Sequence, residues 1–138
     1  MAALRFTNIE NLSLSNTQTI ESNVEATLET IVDSIQDVKG KNIVKLDMRS
    51  LTDRPTDFFV ICEGDSTTQV NAIADRVRRR MKTDMGTTPS HSEGQQNATW
   101  VCLDYFNVVV HIFYKETRKF YELEELWSDA KFTEYEDL

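Results

Sequence analysis

The stretch Thr56-Asp57-Phe58-Phe59-Val60-Ile61-Cys62-Glu63-Gly64-Asp65-Ser66-Thr67-Thr68-Gln69-Val70 decides the fold. Asp57 to Cys62 is an apolar run of strand length with no polar alternation, which predicts a strand covered on both faces. Glu63-Gly64-Asp65 closes it. Ser66-Thr67-Thr68-Gln69 then matches a capping box, with Ser66 the expected N-cap of a helix. Val70, Ile73, Ala74, Val77, Met81 and Met85 recur at helical spacing as one apolar stripe, and Gly86 is the expected stop. A buried strand feeding directly into an amphipathic helix is the signature of an α/β layer.

Working outward, an earlier helix runs from Ile20, with Ile20, Val24, Leu28, Ile31, Ile35 and Val38 on one face and Gly40 at its C′ position. Asn42 to Met48 alternates as a half-buried strand, with Val44, Leu46 and Met48 on one side. Residues 87–98 read as a polar loop with one short strand. Trp100 to Tyr105 and Val108 to Tyr114 form an antiparallel hairpin. Glu116 to Trp127 reads as a final helix with Phe120, Leu123, Leu126 and Trp127 along its apolar edge. The expected organisation is a loose N-terminal extension over residues 1–19, one domain over 20–128, and a frayed acidic tail over 129–138. The expected fold is α/β, a single domain with a mixed β-sheet and flanking helices.

Charge narrows the function classes. The 138 residues carry 15 Lys+Arg and 23 Asp+Glu, a formal charge of −8. Residues 1–40 hold 2 basic and 6 acidic side chains, residues 41–114 hold 9 and 9, and residues 115–138 hold 4 and 8. The excess thus lies at the two ends, which disfavours broad contact with a phosphate backbone. No stretch approaches the ~20 apolar residues of a membrane helix. No signal peptide is apparent, and Cys62 and Cys102 sit within apolar runs, as expected of free thiols in a reducing cytoplasm.

Few residues carry a catalytic or metal-binding pattern. Ser66 lacks a Gly-x-Ser-x-Gly elbow and is explained as a cap. Neither cysteine has an activating neighbour pattern. His91 and His111 are far apart and belong to no ligand motif, so no metal or cofactor is expected; His111 reads as a structural, hydrogen-bonded histidine. Gly64-Asp65-Ser66 could present helix N–H groups to an anion, but the neighbouring carboxylates oppose it. Arg76, Arg78, Arg79, Arg80 and Lys82 form the one basic cluster, read as a solvated face rather than an RNA contact. Trp100, Tyr105 and Phe106 around Asp104, and Tyr121 and Trp127 among Glu122, Glu124 and Glu125, pair aromatics with carboxylates. That composition fits either core packing or a protein interface whose partner is basic.

The chain from about Ile31 to Trp127 resembles the ribosomal silencing factor (RsfS, or iojap) family. The resemblance is carried, in order, by Asn42-Ile43-Val44-Lys45-Leu46-Asp47-Met48, by Thr56 to Ser66, and by Gln69-Val70 and Ala72-Ile73-Ala74-Asp75. It continues through Glu93-Gly94, Trp100-Val101-Cys102-Leu103-Asp104-Tyr105 and Val108 to Phe113. It ends with Arg118 and Phe120-Tyr121-Glu122-Leu123-Glu124-x-Leu126-Trp127. The resemblance implies an α/β fold similar to the nucleotidyltransferase core, without enzymatic activity. It implies docking on the large ribosomal subunit through ribosomal protein fourteen, steric blocking of small-subunit joining, damped translation in starvation, a link to large-subunit assembly, and a homodimer when free. The expected partner-binding residues are Trp100, Leu103, Asp104 and Tyr105, with Glu93, Arg118, Tyr121 and Glu124 behind them. A nucleotide-binding enzyme is the alternative, but no Asp-x-Asp pair is present to hold Mg²⁺. Phe106-Asn107 stands where the family often has a hairpin glycine.

Overall fold

A computed structural model describes residues 23–138. The expected extension over 1–19 and the Ile20 start of the first helix lie outside the described residues. Helix α1 covers residues 23–37. It is followed by β1 (Lys41–Asp47), β2 (Phe58–Gly64), α2 (Thr67–Met85), β3 (His91–Glu93), β4 (Trp100–Asp104) and β5 (Val108–Tyr114). Two short helices, α3 (Lys115–Tyr121) and α4 (Leu123–Leu126), lead to a last strand, β6 (Lys131–Glu134). The single-domain α/β expectation, a mixed sheet with flanking helices, holds. The sheet has six strands in the order β3-β4-β5-β2-β1-β6. The β2–β5 pair is parallel and its neighbours are antiparallel.

Alternation along β2 builds two cores at once. Phe58, Val60 and Cys62 point to the face covered by α1 and α2, where Leu28, Ile31, Ile35, Val70, Ile73, Val77 and Met81 meet them. Phe59 and Ile61 point to the opposite face, with Val44, Leu46, Met48, Phe113 and Leu123. The continuous apolar run is therefore the requirement of a strand with no wet side.

The cap of α2 forms as expected: Gln69 N–H donates to Ser66 Oγ at 3.1 Å. Gln69 also closes the junction of both helices. Its Oε1 accepts from Asp65 N–H at 2.6 Å, and its Nε2 donates to the Val38 and Lys39 carbonyls at the end of α1. Gly86, at φ 64°, ends α2.

Three expectations are corrected. Gly40 is not the left-handed residue that ends α1; Lys39 takes that conformation at φ 63°. Gly40 is required by packing, since a Cβ there would collide with Ile35 Cγ2. The final helix is not continuous over Glu116 to Trp127. Glu122 adopts φ 47° and separates α3 from α4, so Phe120 and Leu126 face solvent at 82% and 72% exposure rather than the core. The tail is not frayed throughout: β6 pairs antiparallel with β1 and supplies that strand's outer partner.

Lys39 and Gly40 make a direct test. Gly40→Ala should destabilise the protein by about 1–3 kcal/mol through overpacking. Lys39→Gly should be neutral or stabilising by about 0.5–1 kcal/mol, because glycine relieves the left-handed backbone. Urea denaturation of both variants measures this, and equal effects would refute the assignment.

Candidate functional site

Strand parity decides what β4 can offer. Paired residues on neighbouring strands share a face. Trp100 lies opposite Phe113, Cys102 opposite both Glu93 and His111, and Asp104 opposite both His91 and Val109. These side chains stand on the face away from α1 and α2. Helices α3 and α4 cover the half of that face over β1, β2 and β5, where Leu123 is buried. The half over β3 and β4 presents Glu93 exposed and Trp100, Cys102 and Asp104 half-buried.

Val101, Leu103 and Tyr105 have the other parity and belong to the helix-covered core. The expected partner-surface role of Leu103 and Tyr105 is thereby corrected, since they are 0% and 8% exposed. Two-residue alternation in β4 was a signal available for this. Burial pushes the Tyr105 hydroxyl up to about 12, which keeps it neutral.

An aromatic cluster organises the open half. The Trp100 ring stacks on Phe113 with centroids 4.9 Å apart and packs at 4.7 Å against Tyr121, which α3 delivers and which is exposed. Trp100 Nε1–H donates to His111 Nδ1 at 3.1 Å, and Phe59 meets the His111 ring edge-on at 4.4 Å. Because Nδ1 accepts, the neutral imidazole carries its proton on Nε2. Burial lowers the His111 pKa to about 4. His111 is thus the structural histidine anticipated, and its ring nitrogen fixes the rotamer of Trp100. Gly94, at φ 90°, passes so close to Trp100 that a Cβ would collide with the Trp100 carbonyl oxygen. The glycine after Glu93 lets the loop fold tightly against the start of β4.

At one edge of the face, Asp104 Oδ1 accepts from Phe106 N–H at 2.8 Å. That carboxylate holds the hairpin turn and remains half-exposed. At the other edge, Arg118 and Glu124, expected at the partner surface, pair with each other. Arg118 Nη2 lies 2.6 Å from Glu124 Oε1, and Nη1 lies 3.1 Å from Glu63 Oε1 and 2.6 Å from the Asn42 carbonyl. The Arg118 side chain is 12% exposed. It ties α3 to α4, to the end of β2 and to the β1 bulge, and so helps to hold the helix that carries Tyr121. The structure therefore brings together Trp100, Asp104, Glu93 and Tyr121, buries Leu103 and Tyr105, and leaves Arg118 and Glu124 half-buried and paired with each other. Reading Glu116 to Trp127 as one unbroken helix hid the exposure of Leu126 and of Phe120, which packs against Tyr121; no residue-level signal marks Glu122 as left-handed.

Other candidate chemistry is absorbed by structure. Asp65, near the N-terminus of α2, is ion-paired with Lys41 at 3.0 Å. Burial raises the Cys62 thiol to about 12 and the Cys102 thiol to about 11, opposing thiolate chemistry. Within the basic cluster, Arg76 and Arg80 bind Asp37, Arg80 binds Asp84, and Arg78 binds Asp75. Most of that charge is neutralised locally, which argues against an RNA-binding face. Among the described residues, no group of three or more His, Cys, Asp or Glu could hold a metal ion, and no helix is long and apolar enough to cross a membrane.

Comparison with known proteins adds to this geometry. Residues 21–138 match the family described as "Ribosomal silencing factor during starvation". The Ribosomal silencing factor RsfS of Halalkalibacterium halodurans is 38% identical over 109 residues, covering 79% of this chain and 92% of that protein. The Ribosomal silencing factor RsfS of Bacillus subtilis is 36% identical over 108 residues, covering 78% and 90%. A crystal structure of a Chromobacterium violaceum protein superposes with a TM-score of 0.71 at 33% identity, covering 75% of this chain and 85% of that one.

The roles given to Arg118 and His111 can both be measured. Arg118→Ala leaves Glu63 and Glu124 without their cation and should cost about 3 kcal/mol or more in urea denaturation; a loss below about 1 kcal/mol, the value of a surface pair, would refute the latch. His111 has an ordinary pKa of 6.5 and a folded one of about 4, so between those values the unfolded chain binds the extra proton. Stability should be full above pH 6.5 and fall by up to about 3 kcal/mol as pH drops toward 4. His111→Gln should flatten that slope; an unchanged slope would exclude His111 as its cause.

Proposed function

The chain belongs to the ribosomal silencing factor family, and from that premise we propose that it docks on the large ribosomal subunit and sterically prevents the small subunit from joining. The proposed contact is ribosomal protein fourteen, and the effect is repression of translation during starvation, with a further part in large-subunit assembly. It acts by occupancy rather than by catalysis, in the cytoplasm, and as a homodimer when free.

The observation that supports this reading best is the half-open sheet face. Trp100 is held in one rotamer by His111 and Tyr121, and Glu93 and Asp104 lie further along the same face toward the hairpin tip. Exposed Tyr121, packed on Trp100, and exposed Phe120, packed edge-on against Tyr121, extend its apolar area. A rigid aromatic anchor with a carboxylate rim matches a basic protein surface. Opposite charge would speed encounter and fix orientation, while the ring would supply affinity. Exposed Glu122 and Glu125 continue the acidic rim.

The test is a density-gradient profile of mixed large and small subunits. Added protein should reduce the joined-ribosome peak. Trp100→Ala should abolish the effect. Asp104→Asn keeps the acceptor for Phe106 N–H and removes only the charge, so it should weaken binding to free large subunits by about tenfold. An undiminished joined peak with the wild-type protein would overturn the silencing role. Wild-type affinity for both variants would move the contact elsewhere.

A further inference from the structure

Phe106 is the most exposed of the large apolar side chains among the described residues, at 84%. Its backbone stands at φ 75°, a conformation that glycine or asparagine adopts at lower steric cost. The tip is nonetheless pinned from several sides. Phe106 N–H donates to Asp104 Oδ1 and its carbonyl accepts from Thr56 Oγ1, each at 2.8 Å. The Asn107 carbonyl accepts from Phe58 N–H at 3.0 Å, and Tyr105 N–H donates to the Val108 carbonyl at 2.8 Å. Folding gains little from a ring left in water, while the backbone under it is strained.

A rigidly mounted, exposed aromatic has what an interface anchor needs: large contact area and little freedom left to lose on binding. The Asp104 carboxylate links it directly to the face described above. Beside the tip lies an open cleft of about 640 Å³ lined by Thr52, Arg54, Pro55, Asp57 and Asp104, with room for a partner's side chains. A strand rises about 3.3 Å per residue, so Phe106 lies ~20 Å along the hairpin from Trp100, within one interface patch of ordinary size.

We propose that Phe106 is a second anchor, which carries the docking face onto the hairpin tip and seats against the same basic large-subunit protein. This rests on the docking reading above. The test compares wild type with Phe106→Asn and Phe106→Gly, by thermal unfolding and by binding to purified free large subunits. Both variants should unfold at the same temperature as wild type or higher, and bind at least about tenfold more weakly. Binding within about twofold of wild type would overturn the anchor role and leave the docking reading intact. A fall in stability together with binding would make the ring a structural element and also overturn it. Failure of the wild-type protein to bind at all would remove the docking reading and this inference with it.

Discussion

Burial of β2 on both faces is the constraint from which the rest of the structure follows. Phe58, Val60 and Cys62 demand cover from one layer, and Phe59 and Ile61 from another. Each such side chain, once fully buried, contributes roughly 1.5–3 kcal/mol, so neither layer can be left open. Helices α1 and α2 close one side with long apolar stripes. The other side has only short pieces available, α3 and α4, and these reach over β1, β2 and β5. What they fail to cover, over β3 and β4, is left open and is the proposed docking surface.

The incomplete layer needs its own fastening. Helices of this length are not stable alone, and Leu123 is their one buried residue. Arg118 supplies the missing constraint through Glu63, Glu124 and the Asn42 carbonyl. Broken at Glu122, the segment sends Leu123 inward and leaves Phe120, Tyr121 and Leu126 facing out. The same latch that completes the fold therefore sets the orientation of Tyr121 against Trp100. Stability and the shape of the proposed docking face depend on shared atoms.

Electrostatics is consistent with this division. The cations of α2 are largely consumed by Asp37, Asp75 and Asp84, so the one basic segment offers little net field to RNA. Carboxylates on the open face, by contrast, are partly free. An acidic protein suits a ribosomal site when its contact is a basic protein rather than the nucleic acid around it.

Local sequence alone determined the parts governed by short-range rules. The apolar run of β2, the Ser66 cap, the stripe of α2 and the hairpin are each written in residues close in sequence, where period and turn chemistry suffice. Leu103 and Tyr105 were legible too, since β4 parity places them with Val101 in the core. Tertiary structure decided what depends on distant partners. Strand β6 is a short, charged segment that exists because β1 has an open edge. Lys39 and Glu122 adopt left-handed backbone without a residue preference for it, because packing around Gly40 and the Arg118 latch fix the chain there. Arg118 reads as a surface charge until folding brings Glu63, 55 residues away along the chain, to its side. Periodicity reports which face a residue takes within its own element, whereas coverage of that face is set by elements far away in sequence.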